Sequence, residues 1–186
     1  FVSGVASIVD RIEGYDAAHS LEVAQTAEKI AAAAGFEGEQ LQALKAAAML
    51  HDVGETLLPR EILRTAERLN DEQTYLMRTH PLLGELHLKS RMQAPDEVPA
   101  IIRWHHERWD GLGYPDNLKG EEIPKAARIL AIADAISAMR HSRSYRLKQY
   151  KSQKDIDAEI ERQAGLQFDP ELAALWLKLS PAAGNN

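Results

Sequence analysis

Ala46-Ala47-Ala48-Met49-Leu50-His51-Asp52-Val53-Gly54 decides the reading of this chain, because a run with the composition of a buried helix ends on an imidazole and a carboxylate. The same anomaly recurs in Ile129-Leu130-Ala131-Ile132-Ala133-Asp134-Ala135-Ile136, where one aspartate interrupts residues that belong in a core. A carboxylate among such neighbours must give up its charge or meet a cation, since burying it unpaired is too costly. A metal ion is the most economical cation at both places.

Around these two stretches almost everything repeats at helical period, and Ala, Leu, Glu, Lys and Arg dominate over β-branched alternation. The expected fold class is all-α. Helices are predicted over Val2–Tyr15, Ala18–Ala34, Glu39–His51, Pro59–Thr65, Asp71–Thr79, Pro81–Lys89, Glu97–His106, Pro124–Met139, Lys154–Gln163 and Pro170–Leu179. Gly35 is the left-handed residue that closes the second, and Pro59 blocks continuation of the third. Asn70-Asp71 and Asp169-Pro170 read as N-cap openings.

With 186 residues, 45% apolar and 27% charged, the chain can bury one good core. Residues 1–182 are expected to form one domain and residues 183–186 a frayed tail. A start at Phe1 that is already helical by Ser7 reads as a piece of a longer signalling protein. The formal charge of -6 argues against a DNA- or RNA-coating surface, although bound metals would still let a small anion dock. Absence of cysteine excludes disulfides and thiolate zinc sites. No apolar run approaches the ~20 residues of a spanning helix, so membrane insertion is not expected and the location is read as cytoplasmic.

Five of the seven histidines sit at helix ends or entries: His19, His51, His80, His105 and His106. Taken singly, a His at a helix C-terminus serves the dipole and a helical Asp is solvated or a cap. Taken together, they interrupt the most apolar helices, and that pattern points to metal. Neighbours on a helix splay by about 100°, so a His-Asp or His-His pair can address two ions from one backbone position. Two pairs therefore imply two ions, with an aspartate as the natural bridge and neutral imidazoles completing each shell.

His51-Asp52-Val53-Gly54, His80-Pro81, His105-His106-Glu107, Asp110-Gly111-Leu112-Gly113-Tyr114-Pro115, Gly120-Glu121-Glu122-Ile123 and Ala133-Asp134 resemble, in this order, the HD-GYP family. The resemblance implies an HD-superfamily helical bundle that holds two or three metals, usually iron or manganese, and hydrolyses the bacterial messenger cyclic di-GMP. It implies the ligands His19, His51, Asp52, His80, His105, His106 and Asp134, with Asp52 as the bridge. Arg143 and Arg146 match positions that grip substrate phosphate. Trp109 and Tyr114, in the glycine-bearing loop, are expected to line the mouth and stack on guanine, or to face a partner signalling domain.

Three departures bear on chemistry. Glu55 stands where the family has lysine, and either repels a phosphodiester or ligates a metal, so it is grouped with Asp52 as catalytic. Ser137, grouped with the substrate contacts, replaces a common second aspartate. Tyr15 occupies the place of a glutamate found in trinuclear members, so two divalent ions are expected; zinc, nickel or cobalt would also suit this donor set. Two ions roughly 3.5–4 Å apart would share a hydroxide that attacks phosphorus, giving the linear dinucleotide pGpG, GMP or both. The competing readings are a messenger-binding or interaction domain that has lost turnover, and an HD phosphohydrolase for another nucleotide.

Overall fold

Small residues at regular helical spacing let the first helices approach closely. In this computed structural model, which describes residues 2–15, 18–65, 67–92, 94–141 and 152–180, α1 spans Val2–Glu13, α2 His19–Ala33 and α3 Gly38–Leu50. A 3-10 turn, Val53–Leu57, and short α4, Arg60–Leu63, and α5, Asp71–Met77, lead to α6, His80–His87. After a π-helical turn over Leu88–Met92 come α7, Glu97–Trp104, a 3-10 turn at Gly120–Glu122, α8, Lys125–Arg140, α9, Gln153–Gln163, and α10, Pro170–Leu179. The predicted helices are all present, with ends shifted by no more than about two residues. Among the described residues there is no strand, only an isolated bridge between Ala164 and Phe168.

Helix α2 packs on α3 and α8, α3 also on α7, and α10 closes the other side of α2. Buried Ala24, Ala27 and Ala31 of α2 share the core with Ala47 and Ala48 of α3 and Ala127 and Ala133 of α8. Interaxial distance depends on the side chains at the contact, so alanine on facing helices brings backbones near enough for short side chains to meet. Ile30, Leu44, Ile129, Leu130, Ile132 and Ile136 fill the remainder, fully buried, each contributing about 1.5–3 kcal/mol.

The ends follow from local chemistry. Gly35 takes φ +84° just beyond α2, and Phe36 N–H returns to Ala31 O at 2.9 Å. Asn70 and Gln73 form a reciprocal capping box on α5, and Asp169 accepts from Glu171 and Leu172 at the start of α10. No helix among the described residues is long and apolar enough to cross a membrane.

Gly54 positions the centre. A Cβ there would stand 2.0 Å from the carbonyl oxygen of His80 and 2.6 Å from Gly84 N, so only glycine lets the 3-10 turn lie directly on α6. Both obstacles are backbone and cannot swing aside. Gly54→Ala is expected to cost at least about 3 kcal/mol, the upper range of overpacking, read as a lower urea midpoint.

Candidate metal centre

Helix termini deliver the histidines. His51 follows the last residue of α3, His105 the last residue of α7, and His80 opens α6 after the final turn of α5. Each turns its Nδ1 back onto the carbonyl three residues earlier: His51 to Ala48 at 2.9 Å, His80 to Met77 at 2.8 Å, His105 to Ile102 at 2.6 Å. A carbonyl only accepts, so Nδ1 carries the hydrogen and Nε2 offers a lone pair inward. His19 opens α2 and uses a side chain instead, with Nδ1 2.9 Å from Ser137 Oγ.

The four Nε2 atoms are buried and make no hydrogen bond. They nevertheless converge on two carboxylates. His51 Nε2 lies 3.0 Å from Asp52 Oδ2 and 3.7 Å from Asp134 Oδ1, and His19 Nε2 lies 3.5 Å from Asp134 Oδ1. On the other side of Asp52, Oδ1 is 3.3 Å from His80 Nε2 and 3.7 Å from His105 Nε2. Such near approach without a bond suits donors arranged round a cation. The donor atoms fall into two groups, Asp52 with His80, His105 and His106, and His19 with His51 and Asp134, each within 4.8 Å. Tyr15 stacks on His19, with ring centroids 4.1 Å apart and planes at 15°.

Charge within this cavity is strongly biased. Burial opposes ionisation of Asp52, but the field of His51 and the close approach of His105, His51 and His80 hold its carboxyl well below the usual range. Asp134 is likewise lowered, burial being outweighed by His19 and His51. His51 is pushed up despite burial by Asp52 and Asp134, whereas burial and the neighbouring histidines push His105 and His106 down. The carboxylates demand positive charge, and the imidazoles cannot all supply it as protons. An ion at each group satisfies both.

The seven expected ligands thus come together, with one difference of arrangement. The His51-Asp52 pair divides between the groups, but His105 and His106 join the same one. Helical splay governs neither pair, because α3 ends at Leu50 and α7 at Trp104.

The glycine-bearing loop is tied down by anchors that the sequence did not single out. Glu107, buried beside His106, accepts from Asp116 N at 2.6 Å and Leu118 N at 3.1 Å, and Asp116 accepts from both Arg103 and Trp104. A Cβ at Gly113 would meet the backbone of Arg108 at 2.4 Å. The loop so held places Tyr114 against His106, centroids 4.9 Å apart, and burial followed by the fields of Asp52 and Asp134 pushes its phenol up. Arg78, exposed at the end of α5, stands 5.4 Å over the Tyr114 ring and makes no ion pair among the described residues.

Three expected contacts are placed otherwise. Trp109 lies under the Arg128 guanidinium, 5.5 Å from the ring, with its backbone bound to Gln167 and Gly120 rather than at the histidines. Ser137 is fully buried and its hydroxyl is committed to His19 and Glu22, so it is inaccessible to substrate. Glu55 is buried in the 3-10 turn close enough for its charge to raise His80, but it contributes no donor atom to either group. Arg143 and Arg146 lie outside the described residues, as does the tail 183–186.

A helical bundle whose termini aim imidazoles at two shared carboxylates defines a metal-dependent phosphohydrolase scaffold. The family profile described as HD domain matches residues 6–172, and with the motif order above the chain belongs to the HD domain family in its HD-GYP branch. Phosphohydrolases of this family are metal-dependent, and the cluster here can hold metal. The 3′3′-cGAMP-specific phosphodiesterase 2 of Vibrio cholerae is 34% identical over 95% of this chain and 34% of that protein. The cyclic di-GMP phosphodiesterase response regulator RpfG of Xanthomonas campestris is 33% identical over 95% of this chain and 47% of its own length. A cyclic di-GMP phosphodiesterase of Thermotoga maritima is 35% identical over 87% of the chain and 44% of the relative. The chain therefore spans about a third to a half of these curated relatives.

Solved structures agree on the fold. A cyclic GMP-AMP specific phosphodiesterase of V. cholerae superposes with TM-score 0.77 at 17% identity, over 99% of this chain and 49% of that one. The HD domain of the L. monocytogenes phosphodiesterase PgpH, in complex with cyclic-di-AMP, gives TM-score 0.65 at 20% identity, over 98% and 95%.

Proposed function

We propose that residues 1–182 act as an HD-GYP phosphodiesterase domain that opens cyclic di-GMP to pGpG, GMP or both. The observation that carries this reading is the set of four buried Nε2 atoms turned onto Asp52 and Asp134 without a hydrogen bond. The printed activities of the relatives, cyclic di-GMP or 3′3′-cGAMP hydrolysis, support the substrate class. Cytoplasmic location belongs to the same proposal, because the substrate is an intracellular messenger.

In this reading Asp52, His80, His105 and His106 would hold one divalent ion and His19, His51 and Asp134 the other, with Asp52 facing both groups. Bound ions of the iron or manganese type supply Lewis-acid polarisation of the phosphodiester and acidify water. Each cleavage consumes one water, one for pGpG and a second for GMP: its oxygen bonds phosphorus, the P–O3′ bond breaks, and the 3′ oxygen takes a proton. The carbonyl-bound Nδ1 hydrogens fix the rings of His51, His80 and His105 with Nε2 toward the carboxylates. Tyr114 presents a ring face at the rim beside His106 for a base to stack on.

Arg78 leaves its charge available above Tyr114, where the distal phosphate of a cyclic dinucleotide needs a cation. Arg78→Ala is expected to raise KM about tenfold, the loss of roughly 1.4 kcal/mol of binding, with metal content unchanged. Unaltered KM would remove Arg78 from the substrate site.

Glu55 favours one other reading. Its buried negative charge beside His80 opposes a phosphodiester where a lysine would attract it, which fits a domain that binds the messenger without turning it over. Metal-loaded protein incubated with cyclic di-GMP and, separately, 3′3′-cGAMP decides. Product from cyclic di-GMP supports the proposal, product from 3′3′-cGAMP alone changes the substrate, and binding without product selects the receptor.

A further inference from the structure

Three of the four inward-facing imidazoles are oriented by a carbonyl of the helix that ends just before them, and His19 is not. As the first residue of α2 it has no preceding turn of that helix to supply a carbonyl three residues back. Its Nδ1 meets Ser137 Oγ at 2.9 Å instead, and the same hydroxyl donates to Glu22 Oε2 at 3.0 Å. Glu22 is one turn further along α2 and is itself held by Arg140 Nη1 at 2.7 Å and by His141 Nε2.

We infer that Glu22, acting through Ser137, is the positioning residue that sets the tautomer and aim of His19 and thereby the affinity of the second metal group. This rests on the proposed metal centre and adds which residues outside it govern one half. The argument is one of hydrogen count. A serine hydroxyl has a single hydrogen, and an ionised carboxylate clamped by Arg140 and His141 can only accept. That hydrogen is committed to Glu22, so the Ser137 oxygen can only accept from His19. His19 Nδ1 must then be the N–H, and Nε2 keeps the lone pair that points at Asp134, 3.5 Å away. Remove Glu22 and the hydroxyl is free to rotate and donate to Nδ1, which moves the imidazole hydrogen to Nε2 and blocks coordination.

Ser137 and His19 are both fully buried, so the contact between them is dry, and Glu22 is the partly exposed outer end of the relay. Arg140 also donates to Gln153 at 2.6 Å, which joins the relay to residues on both sides of the span 142–151.

The test uses wild type, Ser137→Ala, Ser137→Thr and Glu22→Ala. Manganese is titrated into metal-free protein with stoichiometry by elemental analysis, and long-range 15N–1H NMR of the metal-free histidines reads the His19 tautomer. Wild type should show hydrogen on Nδ1. Ser137→Ala and Glu22→Ala should shift His19 toward the Nε2–H form and weaken one of two manganese sites by about 10–100-fold, the usual effect of losing a ligand's orienting partner. Ser137→Thr, which keeps the hydroxyl, should restore both readouts. Two unchanged affinities in a folded Glu22→Ala, or an unchanged tautomer there, overturns the inference. If wild type takes up no manganese the proposed function falls, while the NMR of the metal-free protein still decides the His19 assignment.

Discussion

Asp52→Ala is expected to leave a protein that binds at most one divalent ion and hydrolyses cyclic di-GMP on the order of 1000-fold more slowly. Asp52 is the one carboxylate that faces both groups, with Oδ2 3.0 Å from His51 Nε2 and Oδ1 3.3 Å from His80 Nε2. Losing it takes an anionic donor from each side and leaves buried imidazoles facing one another. Lewis-acid assistance is worth several kcal/mol of transition-state stabilisation, and at about 1.4 kcal/mol per decade that gives the stated rate loss. Asp134→Ala is the control. Asp134 faces only His19 and His51, so its loss should remove one ion and spare the group around His80. Elemental analysis beside single-turnover kinetics separates the two variants; equal metal content in wild type and Asp52→Ala would sink the shared-ligand assignment.

Chelation is expected to lower the melting temperature as well as abolish turnover. The seven donors come from α2, α3, α6, α7, α8 and the segments at their ends, so ions there tie together elements that are distant in sequence. At free ion concentrations about 100 times Kd, one site stabilises the fold by roughly 2.7 kcal/mol. For a chain of this size each kcal/mol shifts the midpoint by about 2–4 °C. A drop of roughly 5–10 °C per site should follow dialysis against chelator, reversed by adding manganese or iron. A melting curve indifferent to chelator would mean that ions do not bridge these helices.

His51, Asp52 and Asp134 were legible because each violates the pattern of its own helix, and a polar residue among buried alanines and isoleucines needs a physical reason. Helix α10 was read to the residue because Asp169-Pro170 is a strong local start signal. What the sequence hid depends on tertiary approach. Ser137 and His19 are 118 positions apart, and a serine on an alanine-rich helix carries no sign that its hydroxyl is committed. Arg78 looks like any basic residue near the end of a short exposed helix until Tyr114 lies beneath it. Trp109 was expected at the mouth because it stands beside the functional loop; its ring lies under the Arg128 guanidinium, a tertiary approach across 19 positions. His105 and His106 joined one group while His51 and Asp52 divided, although both pairs follow a helix end, and helical periodicity does not fix directions beyond such a boundary.

The backward reach of His51, His80 and His105 onto carbonyls in the final turns of α3, α5 and α7 makes helix order and ion retention a single equilibrium. Fraying the last turn of α3, α5 or α7 would free an imidazole to rotate, so the cation is held only as firmly as the weakest of these three ends. By reciprocity, a filled centre splices those ends shut, and mechanical strain from any attached segment that tugged on one of them would be felt as a change in cation affinity.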